Sequence, residues 1–129
     1  MTTYLYIIGA PGSESCVAKV GITESPYSRL NQIFTGCRRR KYLAPEGLEL
    51  FALYRFDHRH DAQLIERTIL LLNQAAKSDP RTLGWLMVSP LLLAPQILVL
   101  TSLLGIHAEK INCSFTRLDL EVLEVSTAV

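Results

Sequence analysis

The chain has 129 residues and a mass of 14.4 kDa, which suits one domain spanning 1–129. With 49% hydrophobic and 19% charged residues, it is too apolar for intrinsic disorder. Seven Gly and six Pro exclude a collagen-like or low-complexity chain, and a net charge of +1 names no partner. Residues Tyr4 to Gly9 are aromatic and β-branched and end in Ala-Pro-Gly, a strand running into a turn. Cys16 to Ile22 reads as a second strand with Ala18, Val20 and Ile22 on one face, so the pair forms an antiparallel hairpin. Ser25-Pro26 is a helix start, and this helix runs to about Phe34, with Leu30, Ile33 and Phe34 as its apolar stripe, before stopping near Gly36.

Leu48 to Phe56 is a third strand. Asp61 to Lys77 is a helix in which Ile65, Ile69 and Leu72 recur at i, i+4 and i+7, widened by Leu64 and Leu71. Gly84 to Val88 is a short extended piece, and Ser89-Pro90 starts a second apolar helix. Between Leu91 and Gly105 about 15 residues are available, short of the ~20 that a spanning helix needs, so no membrane contact is expected. That helix reads either as a buried core helix or as a surface pairing two copies over residues 91–104. Cys113 to Val125 alternates apolar and polar residues and is a possible extra strand. The order implies an α+β fold, a small antiparallel sheet flanked by helices.

Cys16, Cys37 and Cys113 match neither a disulfide framework nor a structural zinc site and read as inert thiols. The chain start lacks a basic signal-peptide region, so a reducing cytoplasmic compartment is expected. Asp57-His58-Arg59-His60-Asp61 reads as a polar strand-to-helix loop with Asp61 near the N-cap rather than as a metal cluster. Asn73 reads as solvated. Charge is uneven: Arg29, Arg38, Arg39, Arg40 and Lys41 lie between Ser25 and Pro45, with no acid among them. A basic run in a loop suits nucleic-acid phosphates, since Arg pairs bidentately with phosphate oxygens; the alternative is a solubilising loop.

Four positions stand out together: Tyr6, Lys19-Val20-Gly21, Arg29 and Glu66. On YLYII (Tyr4 to Ile8), KVGIT (Lys19 to Thr23), SPYSRL (Ser25 to Leu30) and the Glu66 of DAQLIERTILLL, the chain resembles the GIY-YIG nuclease superfamily. The likeness is to a phage- and bacterial-type branch reading KIG or KVG in the second motif. It covers about residues 4–88, leaving 89–129 as a C-terminal extension. Arg29 falls eight residues after Gly21, and Glu66 in the helix after the third strand, as the family pattern has it. Tyr4 stands where the family's first glycine usually does, and Leu83-Gly84-Trp85-Leu86 replaces a Gly-Glu-Trp-Phe-like segment.

The resemblance implies a nuclease core with a three-stranded antiparallel sheet that cleaves phosphodiester bonds, DNA being the expected substrate, with one divalent cation, Mg²⁺ or Mn²⁺. Carried over, Tyr6 helps activate the attacking water, Arg29 steadies the phosphate charge, Glu66 holds the metal, and Lys19 takes the place of the second tyrosine. Independent chemistry is compatible: a hard cation keeps several waters, so one carboxylate can hold it. A nearby Arg or Lys is expected to favour the phenolate of Tyr6. The other reading is a module on the same fold that binds nucleic acid or assembles without catalysis.

Overall fold

The computed structural model describes residues 2–10, 17–40, 49–76 and 86–111. Strands β1 (Thr3–Ala10) and β2 (Val17–Thr23) pair antiparallel as the hairpin expected from sequence. Helix α1 (Pro26–Arg40) follows, then β3 (Glu49–Phe56), α2 (Arg59–Leu72) with a 3₁₀ turn at Gln74–Ala76, α3 (Pro90–Leu104) and β4 (Ala108–Ile111). The sheet order is β2-β1-β3-β4, every pairing antiparallel. The α+β class holds, but the sheet has four strands rather than three.

The fourth strand is not the segment singled out in the sequence. Ala108–Ile111 has only four residues, with Glu109 and Lys110 at its centre, and so carries almost no alternating apolar signal. Short, charged strands are typical of sheet edges, where they discourage further pairing. Arg55 of β3 forms an ion pair with Glu109, its cross-strand partner. Cys113 to Val125 lies outside the described residues.

Alternation along the strands divides the core in two. Leu5, Ile7, Ala18, Val20, Ala52, Tyr54 and Phe56 pack with Ala62, Ile65 and Ile69 of α2 and Leu93 and Ile97 of α3. Tyr6, Ile8 and Leu53 alternate with them and so point to the other face. Leu30 and Ile33 of α1 are buried outside the α2–α3 cluster, which assigns α1 to that second face. A β-bulge serves this division: Ile7 opposes Ala52 but Ile8 opposes Leu50, leaving Phe51 as the extra residue.

Helix bounds shift from expectation for identifiable reasons. α1 continues through Gly36 to Arg40, since one interior Gly costs only about 1 kcal/mol and cations suit a helix C-terminus. α2 begins at Arg59, with His58 at the N-cap position and Asp61 as the acid of the first turn. Its buried stripe is Ala62-Ile65-Ile69, while Leu64, Leu71 and Leu72 are exposed. Asn73 is not solvated: its amide donates to the Ile69 carbonyl and to Gln96 Oε1, both at 2.8 Å, which ties α2 to α3.

α3 behaves at its ends as read. The Ser89 hydroxyl accepts from Leu91 N–H at 3.3 Å, Pro90 opens the helix, and Gly105 closes it at φ 65°, a left-handed conformation that favours glycine. It is not a fully buried helix, however. Only Pro90, Leu93, Ile97 and Thr101 are buried, because one side of the helix meets the sheet and nothing among the described residues covers the other. No helix in the described residues is long and apolar enough to cross a membrane.

These contacts predict that Ile69→Ala costs about 2–5 kcal/mol in denaturant unfolding, because it opens a cavity in the larger core. Leu72→Ala, three residues on, changes stability by no more than about 0.5 kcal/mol.

Candidate active site at the edge of β2

The site starts from one cross-strand pair. Tyr6 of β1 lies directly opposite Gly21 of β2, and its ring extends over that glycine. A Cβ at position 21 would overlap the Tyr6 hydroxyl and ζ-carbon. Tyr6 is only 1% exposed, so the ring has little room to retreat. Gly21 is therefore needed for close approach, and through it a buried strand tyrosine carries its hydroxyl toward the outer edge of the sheet.

The turn after β2 brings Arg29 to that hydroxyl. Ser25 N–H donates to Thr23 Oγ1 at 3.0 Å, and the Ser25 carbonyl accepts from Arg29 N–H at 3.0 Å as a first helical bond of α1. Arg29 is exposed, yet its side chain hydrogen-bonds the Tyr6 hydroxyl. Its Nη1 also donates to Gln32 Oε1 at 3.5 Å, one turn further along.

Glu66 approaches the same edge from the opposite face. It sits beside Ile65 on α2, half-buried at the margin of the stripe. Ala18 exchanges both backbone hydrogen bonds with Leu86 on the outer side of β2, at 2.9 and 2.7 Å. Ile22, four residues on, presents its N–H to the same side, and the Glu66 carboxylate accepts a bond there. Leu86 and the Glu66 side chain thus occupy successive stretches of one strand edge.

Burial dominates the electrostatics. Desolvation pushes Tyr6 above its ordinary pKa of 10.0; the Arg29 hydrogen bond and charge act in the opposite direction, while the Glu66 charge adds to the rise. The expectation that a nearby cation would make Tyr6 unusually acidic is therefore overturned: dehydrating the phenolate costs more than Arg29 returns. Burial likewise raises Glu66 above the ordinary carboxylate value, partly offset by Arg67, the Ile22 backbone bond and Arg59.

Tyr6 thus has Arg29 as a hydrogen-bond partner and feels the charge of Glu66, three residues from three elements. Lys19 lies on the Tyr6–Gly21 face of β2, two positions from Gly21 and opposite Ile8. Arg38, Arg39 and Arg40 form the last turn of α1 rather than a loop, and Lys41 lies outside the described residues, as do Cys16, Cys113 and Trp85. Arg59 and Arg67 were not singled out from sequence. Arg59 precedes Glu66 by seven residues, two helical turns, a spacing visible only once the helix start is moved back from Asp61. Arg59 also pairs with Glu24 at 3.4 Å.

A family model, the T5orf172 domain, matches residues 3–90. The chain belongs to the T5orf172 domain family. This is a phage-associated domain found in the setting of GIY-YIG- and HNH-like endonucleases, which points to a nuclease-like role. No curated protein and no solved structure matches the chain. The match takes in Tyr6, Arg29 and Glu66 and ends at the first residue of α3.

Among the described residues of this T5orf172 chain, no group of three or more His, Cys, Asp or Glu could hold a metal. The donor set fits no zinc-type site, which needs three or four protein ligands. It fits a hard cation that keeps most of its water and takes one carboxylate, here Glu66.

Two outcomes follow from this packing. Gly21→Ala displaces the Tyr6 ring and costs about 1–3 kcal/mol in denaturant unfolding. Tyr6 and Tyr54, both raised by burial, ionise later than the ordinary 10.0 in an ultraviolet-absorbance titration. The folded chain then holds more protons than the unfolded one in that range. This part of the stability is intact below about pH 10 and is lost as pH rises through the folded-state values, which unfolding midpoints across alkaline pH will register.

Proposed function

We propose that the chain is a GIY-YIG-like endonuclease that hydrolyses phosphodiester bonds in DNA with one divalent cation, Mg²⁺ or Mn²⁺. The observation that supports it most is the pairing of Arg29 with the Tyr6 hydroxyl over Gly21, with the Glu66 charge acting on that same hydroxyl and its carboxylate seated at Ile22 of the same strand.

Each group has a role that its surroundings favour. Arg29 donates to the Tyr6 oxygen, and its exposed guanidinium neutralises charge on the phosphate being cleaved. Tyr6, neutral near pH 7, orients the attacking water, and its minor phenolate form takes the proton. Glu66 would hold the cation, which when bound supplies Lewis-acid neutralisation of the phosphate and leaving oxygen. Lys19, on the Tyr6 face, adds positive charge near the scissile group. Arg38 to Lys41 would supply the sequence-independent phosphate contacts to the nucleic-acid backbone.

The raised Tyr6 value also favours a second reading, a domain that binds nucleic acid without cutting it. One experiment separates the two: supercoiled plasmid is incubated with protein and Mg²⁺ or Mn²⁺, beside an equilibrium binding assay. A nuclease nicks the plasmid, Glu66→Gln abolishes nicking, and Arg29→Ala slows it by roughly 10²–10³-fold. Because the phenolate fraction grows tenfold per pH unit below its pKa, the cleavage rate rises from neutral toward alkaline pH, and Tyr6→Phe removes that rise. Salt-sensitive binding without nicking under either metal would leave only the binding module.

A further inference from the structure

We infer that the outward face of α3 is the contact surface of a symmetric dimer, its occupant a second copy of this chain. The inference does not rest on the nuclease reading. Leu91, Leu92, Leu98, Val99 and Leu103 are between 54% and 76% exposed, and at 100° per residue they lie opposite the buried Leu93-Ile97-Thr101 line. The helix, PLLLAPQILVLTSLL, holds no charged residue on either side. Most surface helices have one apolar stripe; this one has two, and the structure uses one.

Size and chemistry select the occupant. The outward face presents on the order of 600 Å² of apolar surface, at the upper limit of what monomers expose. Two such faces, wholly covered, would remove at most about 1,200 Å² from water, which reaches the lower end of specific interfaces. A patch without charge carries no element that repels its own copy, so a twofold pairing places apolar side chains against apolar side chains with no like charges facing. α3 packs on the sheet face opposite α1, so pairing there leaves Arg29 of both copies uncovered.

Sedimentation velocity of the full chain across the micromolar range tests this. A concentration-dependent dimer is expected, weakened at least about 100-fold by the double substitution Leu98→Glu, Val99→Glu. Ser102→Arg places one charge in the middle of the same exposed face without touching an apolar side chain, and it must also dissociate the dimer while leaving the circular dichroism spectrum unchanged. Amide exchange over residues 91–103 should slow as concentration rises. A monomer at every concentration, a dimer that survives Ser102→Arg, or protection independent of concentration, as when residues 112–129 of the same chain lie on the face, would each overturn the proposal. So would a monomer that binds zwitterionic vesicles through these residues.

Discussion

The contact between the Tyr6 ring and Gly21 constrains the rest of the site. A tyrosine in the first strand of a small sheet would ordinarily end inside the packing. Here the strand beside it offers no side chain at the opposing position, so the ring lies over Gly21 and its hydroxyl meets Arg29. Arg29 and Glu66 then act on that hydroxyl, one from each face of the sheet. The geometry follows from two properties of antiparallel strands: partners stand directly opposite, and neighbours along a strand alternate in direction.

Burial makes this arrangement both firm and chemically restrained. The same packing that fixes Tyr6 strips water from its phenolate, and one cationic hydrogen bond does not compensate. Glu66 is in a similar position, half-removed from water with one backbone N–H and two arginines nearby. Both groups are therefore shifted from their ordinary values toward the neutral form. Added positive charge beside them would move both toward ionisation.

The segment beyond the family match belongs to the same structural unit. α3 contributes Leu93 and Ile97 to the core shared by all three long strands, and β4 extends the sheet at its β3 edge. The Asn73–Gln96 bond joins the end of α2 to the middle of α3. The consequence is a helix with one apolar side inside the domain and another outside it, so folding of a single copy leaves a substantial hydrophobic surface in water.

Local signals in the chain were enough for the hairpin, the three long helices, the capping of α3 and the α+β class, because alternation, helical recurrence, Ser-Pro starts and a terminal Gly act over a few residues. Tyr6, Arg29 and Glu66 were nominated by the resemblance to the GIY-YIG superfamily, which the order and spacing of short motifs carry. What these local signals left undecided depends on neighbours distant in sequence. β4 has two charged residues in four and becomes a strand only because Leu53 to Phe56 offer it a partner. Leu72 and Ile69 look equivalent along the helix, and the position of the sheet decides which is buried. Whether Arg29 or dehydration governs the Tyr6 proton depends on how deeply the ring is packed. That depth is a property of the assembled core, and no window of sequence contains it.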